Sequence, residues 1–315
     1  MASTAYVAAP EDKHAVPSGV SVTDLLLLCM ALVWGFNFIV VKYATGVFAP
    51  LAFNSARILL AVVVLWAIVL IRGIPSLTRR DVIGMLLLGS IGNGLYQILW
   101  VEGLALTRAS DAALLVAASP VAIEILGAFR GQERIGAKGM AGIALSLLGM
   151  GFVVFGASSS SVHESSLVGD AWILGSVICW AFYSVGLRPY TERIDGITLS
   201  AVTMTGGVVP MLICAAPSLI ATNWGAVTLT GWGAVGYSGI FALVLAYLFW
   251  YRGISVLGPT RASMYSNLQP LVAMAAAWLL LNEVPHSPQL LGGLCIICGL
   301  LMTRLPSRKT AVVGE

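Results

Sequence analysis

The chain has 315 residues, of which 58% are hydrophobic and only 10% are charged, and its formal net charge is +3. Soluble proteins carry about 25% charged residues, so this chain has too little charge to cover a surface in water. Its basic residues form no lysine-rich patch with interleaved aromatic residues, so we exclude a nucleic-acid-binding protein and expect no nucleic acid partner.

Ten apolar segments follow one another along the chain, each near the ~20 residues that a helix needs to cross a bilayer. We predict spans at 22–44, 50–71, 82–106, 110–130 and 138–156, then at 168–189, 197–220, 231–256, 261–281 and 288–305. A membrane β-barrel would show alternating segments of ~10 residues instead. The sequence therefore predicts an all-α integral membrane protein with ten transmembrane helices.

Polar segments divide the chain into five parts. We predict a polar cytoplasmic tail at 1–21, a first five-helix repeat at 22–156, a serine-rich outer linker at 157–167, a second five-helix repeat at 168–305 and a cytoplasmic tail at 306–315. A serine-rich linker is flexible and is suited to join two halves. The first apolar run is too long for a signal-peptide core, so we interpret it as an uncleaved span.

The second half repeats the first at a shift of 150 residues. The shift pairs Trp100 with Trp250, Ala112 with Ala262, Pro120 with Pro270, Glu133 with Glu283, Gly142 with Gly292 and Gly149 with Gly299. Since each half has five spans, an odd number, the two halves must cross the membrane in opposite directions. Inverted repeats of this kind are typical of secondary transporters that open one central site to either side in turn.

The basic residues indicate which side of the membrane is cytoplasmic. If the N-terminus lies inside, 14 of the 17 basic residues fall on the inner side, and only Lys42, Arg57 and Arg108 lie toward the outer side. An excess of Lys and Arg marks the cytoplasmic side. We therefore predict an N-in, C-in topology.

Several short motifs are spread over nearly the whole chain. They are A-L-V-W-G-F-N-F in span one, Arg57 in span two, A-L-T-R-A-S-D-A-A-L-L at 105–115, Ser119-Pro120, Glu133, G-P-T-R-A-S at 258–263, Gln269-Pro270 and Glu283. In order and spacing they resemble the EamA-type members of the drug/metabolite transporter superfamily. The resemblance implies a multi-pass secondary transporter of the bacterial inner (plasma) membrane, often an exporter of amino acids or other small metabolites. With its many aromatic residues, the chain is also similar to the YddG-type amino-acid exporters.

Span three carries the most polar centre of the predicted helices. Asn93, Tyr96, Gln97 and Trp100 recur at i, i+3, i+4 and i+7, which places them on one stripe of an α-helix. Amide and hydroxyl groups in hydrocarbon need hydrogen-bonding partners. A polar cavity would supply water and substrate as partners, and this is the interpretation that we favour for the stripe. In the alternative, these groups bond only neighbouring helices.

Further polar and aromatic residues of other spans are candidates for the same cavity. For substrate binding we predict Trp34 and Asn37 of span one, Ser119 of span four, Tyr183 of span six, Tyr247 of span eight, and Asn267 and Gln269 of span nine, and we note Trp180, Phe241, Trp250 and Tyr251 as further aromatic candidates. Aromatic faces could bind an ammonium group by cation–π attraction of ~0.5–2 kcal/mol.

Two prolines, Pro120 and Pro270, lie at equivalent places in the middle of spans four and nine. Each removes a helical hydrogen bond and frees a carbonyl group. Because both halves carry the interruption, we predict hinges or a binding region there, although kinks that have no function are common in membrane helices.

Charged residues inside the predicted spans are few. Glu124 could accept a coupling proton, or it could pair with a basic residue at the inner surface. Arg57 could bind a substrate carboxylate, or it could hold helices together through an ion pair. Both are functional candidates because charge inside a membrane is costly.

We expect a secondary transporter that exports small metabolites, above all amino acids, by alternating access, with no cofactor, metal or catalytic residue. Proton-coupled efflux of lipophilic cationic drugs and a membrane receptor that never transports stay open as alternatives. An intramembrane enzyme is disfavoured, because the sequence offers no nucleophile–base pair. The expected partners are a small molecule and the lipid bilayer; a monomer suffices, and a dimer stays open.

Overall fold

The structure, a computed structural model, describes residues 21–129, 137–157, 167–257, 262 and 265–304, and these residues form helices and turns with no strand. The helices are α1 Val22–Thr45, α2 Pro50–Arg72, α3 Arg79–Leu106, α4 Ala109–Val116, α5 Ser119–Phe129, α6 Ala137–Ala157, α7 Leu167–Thr191, α8 Gly196–Ala221, α9 Leu229–Leu257, α10 Gln269–Leu281 and α11 Ser287–Arg304. Glu133, nearly all of the two tails and most of the serine-rich linker lie outside the described residues.

Side chains just before the helices explain where several of them begin. Ser21 and Asp24 form a capping box at the start of α1, in which the Ser21 hydroxyl accepts from the Asp24 N–H and the Asp24 carboxylate accepts from the Ser21 N–H. Thr78 and Asp195 cap α3 and α8 in the same sense, by accepting backbone N–H bonds. Such caps satisfy N–H groups that have no partner within the helix.

Six of these helices, and the consecutive pair α4–α5 taken as one span, are long and apolar enough to cross a membrane. They are α1, α2, α3, the α4–α5 pair over Ala109–Gly127, α7, α8 and α9. The other three predicted spans coincide with shorter apolar helices, Lys138–Val153, Ser266–Leu281 and Ser287–Gly299. The all-helical membrane class is therefore confirmed.

Helices α3 and α9 each contain a π-helical segment, and the two segments correspond under the 150-residue shift. In α3 the segment is Ser90–Leu95, and in α9 it is Tyr237–Leu245. The Tyr96 N–H bonds the carbonyl of Ile91, and the Ala246 N–H bonds the carbonyl of Phe241, both across five residues. Because π-helical turns are rare and are frequent at functional sites, their occurrence at equivalent places supports the sequence repeat.

The prolines predicted to kink spans four and nine lie at the start of a new helix. Turns at residues 117–118 and 267–268 precede Ser119-Pro120 and Gln269-Pro270. A proline in the first turn of a helix removes no intrahelical bond, unlike a proline in the middle. In the first half, Ser119 Oγ donates to the carbonyl of Val116 over 2.6 Å, so the carbonyl that Pro120 leaves without its helical donor is satisfied.

Most helix contacts join the two halves of the chain. Helix α3 packs on α7 and α8, and its counterpart α9 packs on α1 and α2. Likewise α5 packs on α7 and α10 packs on α1, while α6 and α11 pair with each other. Each contact between a helix of the first half and a helix of the second half thus has a counterpart between the equivalent helices of the opposite halves. The interior of the protein lies between the two halves.

Glycine allows the closest of these crossings. A Cβ atom on Gly89 of α3 would lie 1.9 Å from the carbonyl oxygen of Thr203 in α8. At the equivalent position in α9, a Cβ atom on Gly239 would lie 3.0 Å from the carbonyl oxygen of Arg57 in α2. Small residues at membrane helix interfaces permit such backbone approach.

Candidate functional site

A cavity lies in the interior between the two halves. Its walls come from α1, α2, α3, the α4–α5 pair, α7, α9 and the beginning of α10. The centre of a water molecule can reach about 70 Å³ of it. Since about 10–15 Å³ of such space holds one water, this conformation has room for several waters or a small polar molecule.

Arg57 of α2 is the charged residue of the cavity wall, and it is only 1% exposed. Its guanidinium donates from Nε to Asn54 Oδ1 over 2.6 Å, from Nη1 to Ser238 Oγ over 2.7 Å and from Nη2 to Gln97 Oε1 over 2.6 Å. The Ser238 hydroxyl in turn donates to Asn37 Oδ1 over 2.7 Å. Residues of α1, α2, α3 and α9 therefore jointly fix the position of the Arg57 side chain.

All of these acceptors are neutral. Among the residues that the structure describes, no carboxylate forms a salt bridge with Arg57. The guanidinium carbon lies 5.2 Å from the ring centre of Trp100 and 5.6 Å from that of Phe53, distances typical of cation–π contacts. A buried charge is costly unless it is paired. Because Arg57 has only neutral acceptors among the described residues, its positive charge is uncompensated there.

Aromatic rings form the wall of the cavity on the side of α7 and α9. The ring centres of Trp34 and Tyr247 are 5.5 Å apart, and Trp180 lies 5.9 Å from Tyr247 and 6.3 Å from Trp250. The Trp34 indole donates to the carbonyl of Ala242 over 2.9 Å. Edge-to-face and tilted pairs at these distances are stabilising.

Two indole N–H groups of the cavity wall have no hydrogen-bond acceptor among the residues that the structure describes. They belong to Trp100 and Trp250, which the 150-residue shift pairs and which are 4% and 3% exposed. Buried donors are nearly always satisfied by protein or by ordered water. These two donors therefore need an acceptor that the described residues do not supply.

A second polar network lies between α3, α7, α8 and α9. Tyr183 Oη is 2.7 Å from Tyr251 Oη, donates to Thr203 Oγ1 over 3.2 Å and accepts from Asn93 Nδ2 over 3.2 Å. Tyr247 and Tyr251 stand with their ring centres 6.0 Å apart, so the network adjoins the aromatic wall. Buried networks of this kind make the packing of helices specific.

The structure brings together most of the residues predicted from the sequence. Those that line the cavity are Trp34, Asn37, Arg57, Tyr96, Gln97, Trp100, Ser119, Pro120, Tyr247, Gln269 and Pro270, together with Trp180 and Trp250. Asn93, Tyr183, Tyr251, Asn267 and Glu124 are not among the lining residues, and Phe241 is 46% exposed on the outside of α9.

The ion pair considered for Arg57 is absent from the described residues. Two of the neutral acceptors that bind Arg57 instead, Asn54 and Ser238, are not among the residues predicted from the sequence. Asn54 lies three residues before Arg57, and this spacing on one helix face could have identified it. Ser238 carries no such signal, because the residue paired with it by the shift is Leu88. Its role follows only from the packing of α9 against α2.

The carboxylate of Glu283 caps the beginning of α4. Glu283, which is buried, follows α10 and accepts the N–H groups of Ala109 and Ser110 over 3.1 Å each and the Ser110 hydroxyl over 2.8 Å. Arg108 Nε lies 3.9 Å from Glu283 Oε2. Negative charge at a helix N-terminus is stabilising, so Glu283 holds spans four and nine together at this end.

Replacing Glu283 with glutamine should lower the melting temperature of the purified protein in detergent. The NH₂ group of the amide would replace one carboxylate oxygen and would face N–H or O–H groups that now donate to that oxygen. Donors left unsatisfied in a buried place cost ~1–3 kcal/mol each. Glu192→Gln, at an exposed position, serves as the matched control. Equal melting temperatures of the two variants would rule out this role for Glu283.

The sequence pattern of the EamA-like transporter family matches residues 21–155 and, a second time, residues 167–305. "Uncharacterized transporter YyaM" of Bacillus subtilis is 26% identical over 293 residues, which are 91% of this chain and 96% of that protein. The "Probable amino-acid metabolite efflux pump" of Salmonella typhimurium is 27% identical over 285 residues, 87% of this chain and 92% of that protein.

Among solved structures, one crystal structure covers 91% of this chain and 98% of its own with a TM-score of 0.65 and 18% sequence identity, which shows a common fold. The family and the names of the relatives describe transporters rather than enzymes. With seven spans long enough to cross a membrane, the chain is a multi-pass protein of the inner (plasma) membrane.

Proposed function

This chain belongs to the EamA-like transporter family, and from this premise we propose that it exports small zwitterionic metabolites, above all amino acids, by alternating access. The observation that carries the proposal is the cavity between the two halves, in which neutral polar groups, aromatic rings and one uncompensated cation, Arg57, converge. A receptor that never transports would not need such a cavity at the boundary of two related halves.

For the architecture we propose ten transmembrane helices in two inverted five-helix repeats, 22–156 and 168–305, joined by the linker 157–167, with both tails in the cytoplasm. The double match of the family pattern supports two repeats. The paired π-helical segments and the exchange of helix contacts between the halves support the same arrangement. Alternating access then follows if the halves exchange conformations around the cavity.

For substrate binding we propose the predicted residues that line the cavity, namely Trp34, Asn37, Tyr96, Gln97, Trp100, Ser119, Tyr247 and Gln269. Asn93 and Tyr183 support this wall from behind through their mutual hydrogen bond. We propose Pro120 and Pro270 as hinges, because each begins a new helix after a turn next to the cavity.

Amino acids are the substrate class that the charges favour. Their carboxylate suits Arg57, and their ammonium group suits the aromatic wall of Trp34, Trp180 and Tyr247. A lipophilic cation would meet the positive charge of Arg57 in a small cavity, and Glu124 is not one of the residues that line it. Efflux of cationic drugs is therefore the weaker candidate. The name of the Salmonella relative, "Probable amino-acid metabolite efflux pump", also favours amino acids over cationic drugs.

Transport by the purified protein tests the proposal. After reconstitution in liposomes, uptake of a panel of labelled amino acids is measured with and without a pH gradient, beside protein-free liposomes. We expect saturable, protein-dependent flux of a subset of amino acids. Absence of such flux for every amino acid would contradict the proposed substrate class, and a gradient-independent rate would exclude proton coupling.

A further inference from the structure

We propose that Arg57, Trp100 and Trp250 form a subsite that recognises the carboxylate group of the transported molecule, so that an anionic carboxylate is required for high affinity. This inference rests on the proposed transport function and names the chemical group that the cavity selects. The carboxylate would be the acceptor for two indole N–H groups and the counter-ion for a buried arginine, neither of which the described part of the chain supplies.

The first argument is the remaining donor capacity of Arg57. A guanidinium group has five N–H donors, and it is always charged in proteins. The bonds to Asn54, Ser238 and Gln97 use one N–H on each of the three nitrogens. One N–H is left on each terminal nitrogen, so the guanidinium keeps two donors for a carboxylate.

The second argument is the order of the arginine before any ligand arrives. Asn54, Gln97 and the Ser238–Asn37 pair hold its three nitrogens, and Trp100 and Phe53 lie against its face. Little conformational entropy is then lost when a carboxylate binds, because the side chain is already fixed. Neutral acceptors orient the cation without cancelling its charge.

The third argument is the pair of indole donors. Trp100 Nε1 and Trp250 Nε1 are buried and lie on opposite halves of the chain, and within the described ranges neither has an acceptor. Tryptophan can donate but cannot accept, so an ammonium group, which only donates, would satisfy neither indole, whereas a carboxylate has two oxygens that only accept and can satisfy both. The cavity chemistry thus discriminates against ligands that lack the acid group.

Binding to the purified protein, followed by intrinsic tryptophan fluorescence, tests the subsite. Each amino acid of the panel is compared with its own carboxamide, and propionate serves as a simple carboxylate without an ammonium group. We expect the bound amino acids to lose at least about tenfold in affinity as carboxamides, since charge-assisted hydrogen bonds are the stronger ones. Propionate should bind, and it should compete with the bound amino acids.

The variants separate this role from a role in folding. Trp100→Phe and Trp250→Phe remove the indole N–H donor and keep an aromatic ring. Arg57→Lys keeps the positive charge and removes the planar guanidinium group with its paired N–H donors. Each should weaken binding of the amino acid several-fold and weaken binding of its carboxamide by a smaller factor, because the carboxamide keeps one carbonyl acceptor but has no charge. Trp278→Phe, at a position that is 55% exposed, is the matched control and should bind as the parent protein does.

The outcomes distinguish the subsite from the proposed function. Equal affinities for amino acids and carboxamides, together with amino-acid flux in liposomes, would overturn the subsite and leave the transport function standing. Binding of propionate without binding of any amino acid would support the subsite and contradict amino acids as substrates. If no carboxylate of the panel binds, the subsite is wrong.

Discussion

Replacing Gln97 with glutamate should leave the protein folded and lower the flux of its substrate in liposomes by at least about tenfold. Gln97 Oε1 accepts from Arg57 Nη2 over 2.6 Å, and glutamate has nearly the same shape. The variant would therefore place a permanent carboxylate against Arg57. That carboxylate would neutralise the charge that we expect the substrate to seek, and it would occupy one of the arginine donors.

The stability of the same variant separates electrostatics from misfolding. A buried charge without a partner is destabilising, so the new counter-ion should keep the melting temperature at or above that of the parent protein. The backbone carbonyl of residue 97 would still accept from Asn54 Nδ2, because this bond does not involve the side chain.

Gln97→Met is the control of similar length without charge. It removes an acceptor from Arg57 and should lower the melting temperature while keeping more flux than Gln97→Glu. Wild-type flux in a folded Gln97→Glu variant would contradict the role of Arg57 charge in transport.

The helical part of the fold follows closely from hydropathy and capping residues. The predicted span 82–106 begins three residues later than helix α3, because Thr78 caps the helix and Arg79 and Arg80 add a polar first turn. Hydropathy alone detects the apolar part of a span, whereas the cap determines where the helix begins. The other long spans differ from the observed helices by similar small amounts.

Only the second half of the polar stripe of span three lies on the cavity wall. Tyr96, Gln97 and Trp100 line the cavity, but Asn93 bonds Tyr183 instead. Asn93 lies within the π-helical segment Ser90–Leu95, where hydrogen bonds span five residues and the period of 3.6 fails. A stripe counted with the α-helical period therefore places Asn93 on the same face as Tyr96 and Gln97, whereas in the structure its side chain bonds Tyr183.

The state of Arg57 could not be decided from the sequence. An arginine within a span is compatible with an ion pair and with a ligand site. The difference depends on which residues of α3 and α9 meet α2, and no periodicity within one helix predicts these contacts. The neutral acceptors Ser238 and Gln97 became evident only from the tertiary packing.

Replacing Gly89 with alanine should strongly reduce the amount of folded protein and its melting temperature. The added Cβ atom would lie 1.9 Å from a backbone oxygen of α8, and a contact under 3.0 Å forces the structure to shift. A backbone oxygen within a helix cannot rotate away, so α3 and α8 must separate. Overpacking of this kind costs ~1–3 kcal/mol or more, and it would also disturb the nearby wall of the cavity.

Gly236→Ala in α9 is the matched control, since a Cβ atom there has no neighbour within 4 Å. Alanine is favoured over glycine in helices by up to ~1 kcal/mol, so the control should be as stable as the parent protein or more stable. The measurement is the fraction of monodisperse protein that remains in detergent after heating. If Gly89→Ala resists heat as well as the control does, α3 and α8 do not approach each other as described.

Counterflow in liposomes tests the central claim, alternating access at one central cavity, most directly. Liposomes are loaded with a high concentration of an unlabelled transported amino acid and diluted into a trace of the same labelled compound. Alternating access predicts that the label accumulates transiently inside loaded liposomes well above its level in unloaded ones, and that the folded Gln97→Glu variant loses this accumulation. Equal uptake of label by loaded and unloaded liposomes would contradict a carrier mechanism for this protein.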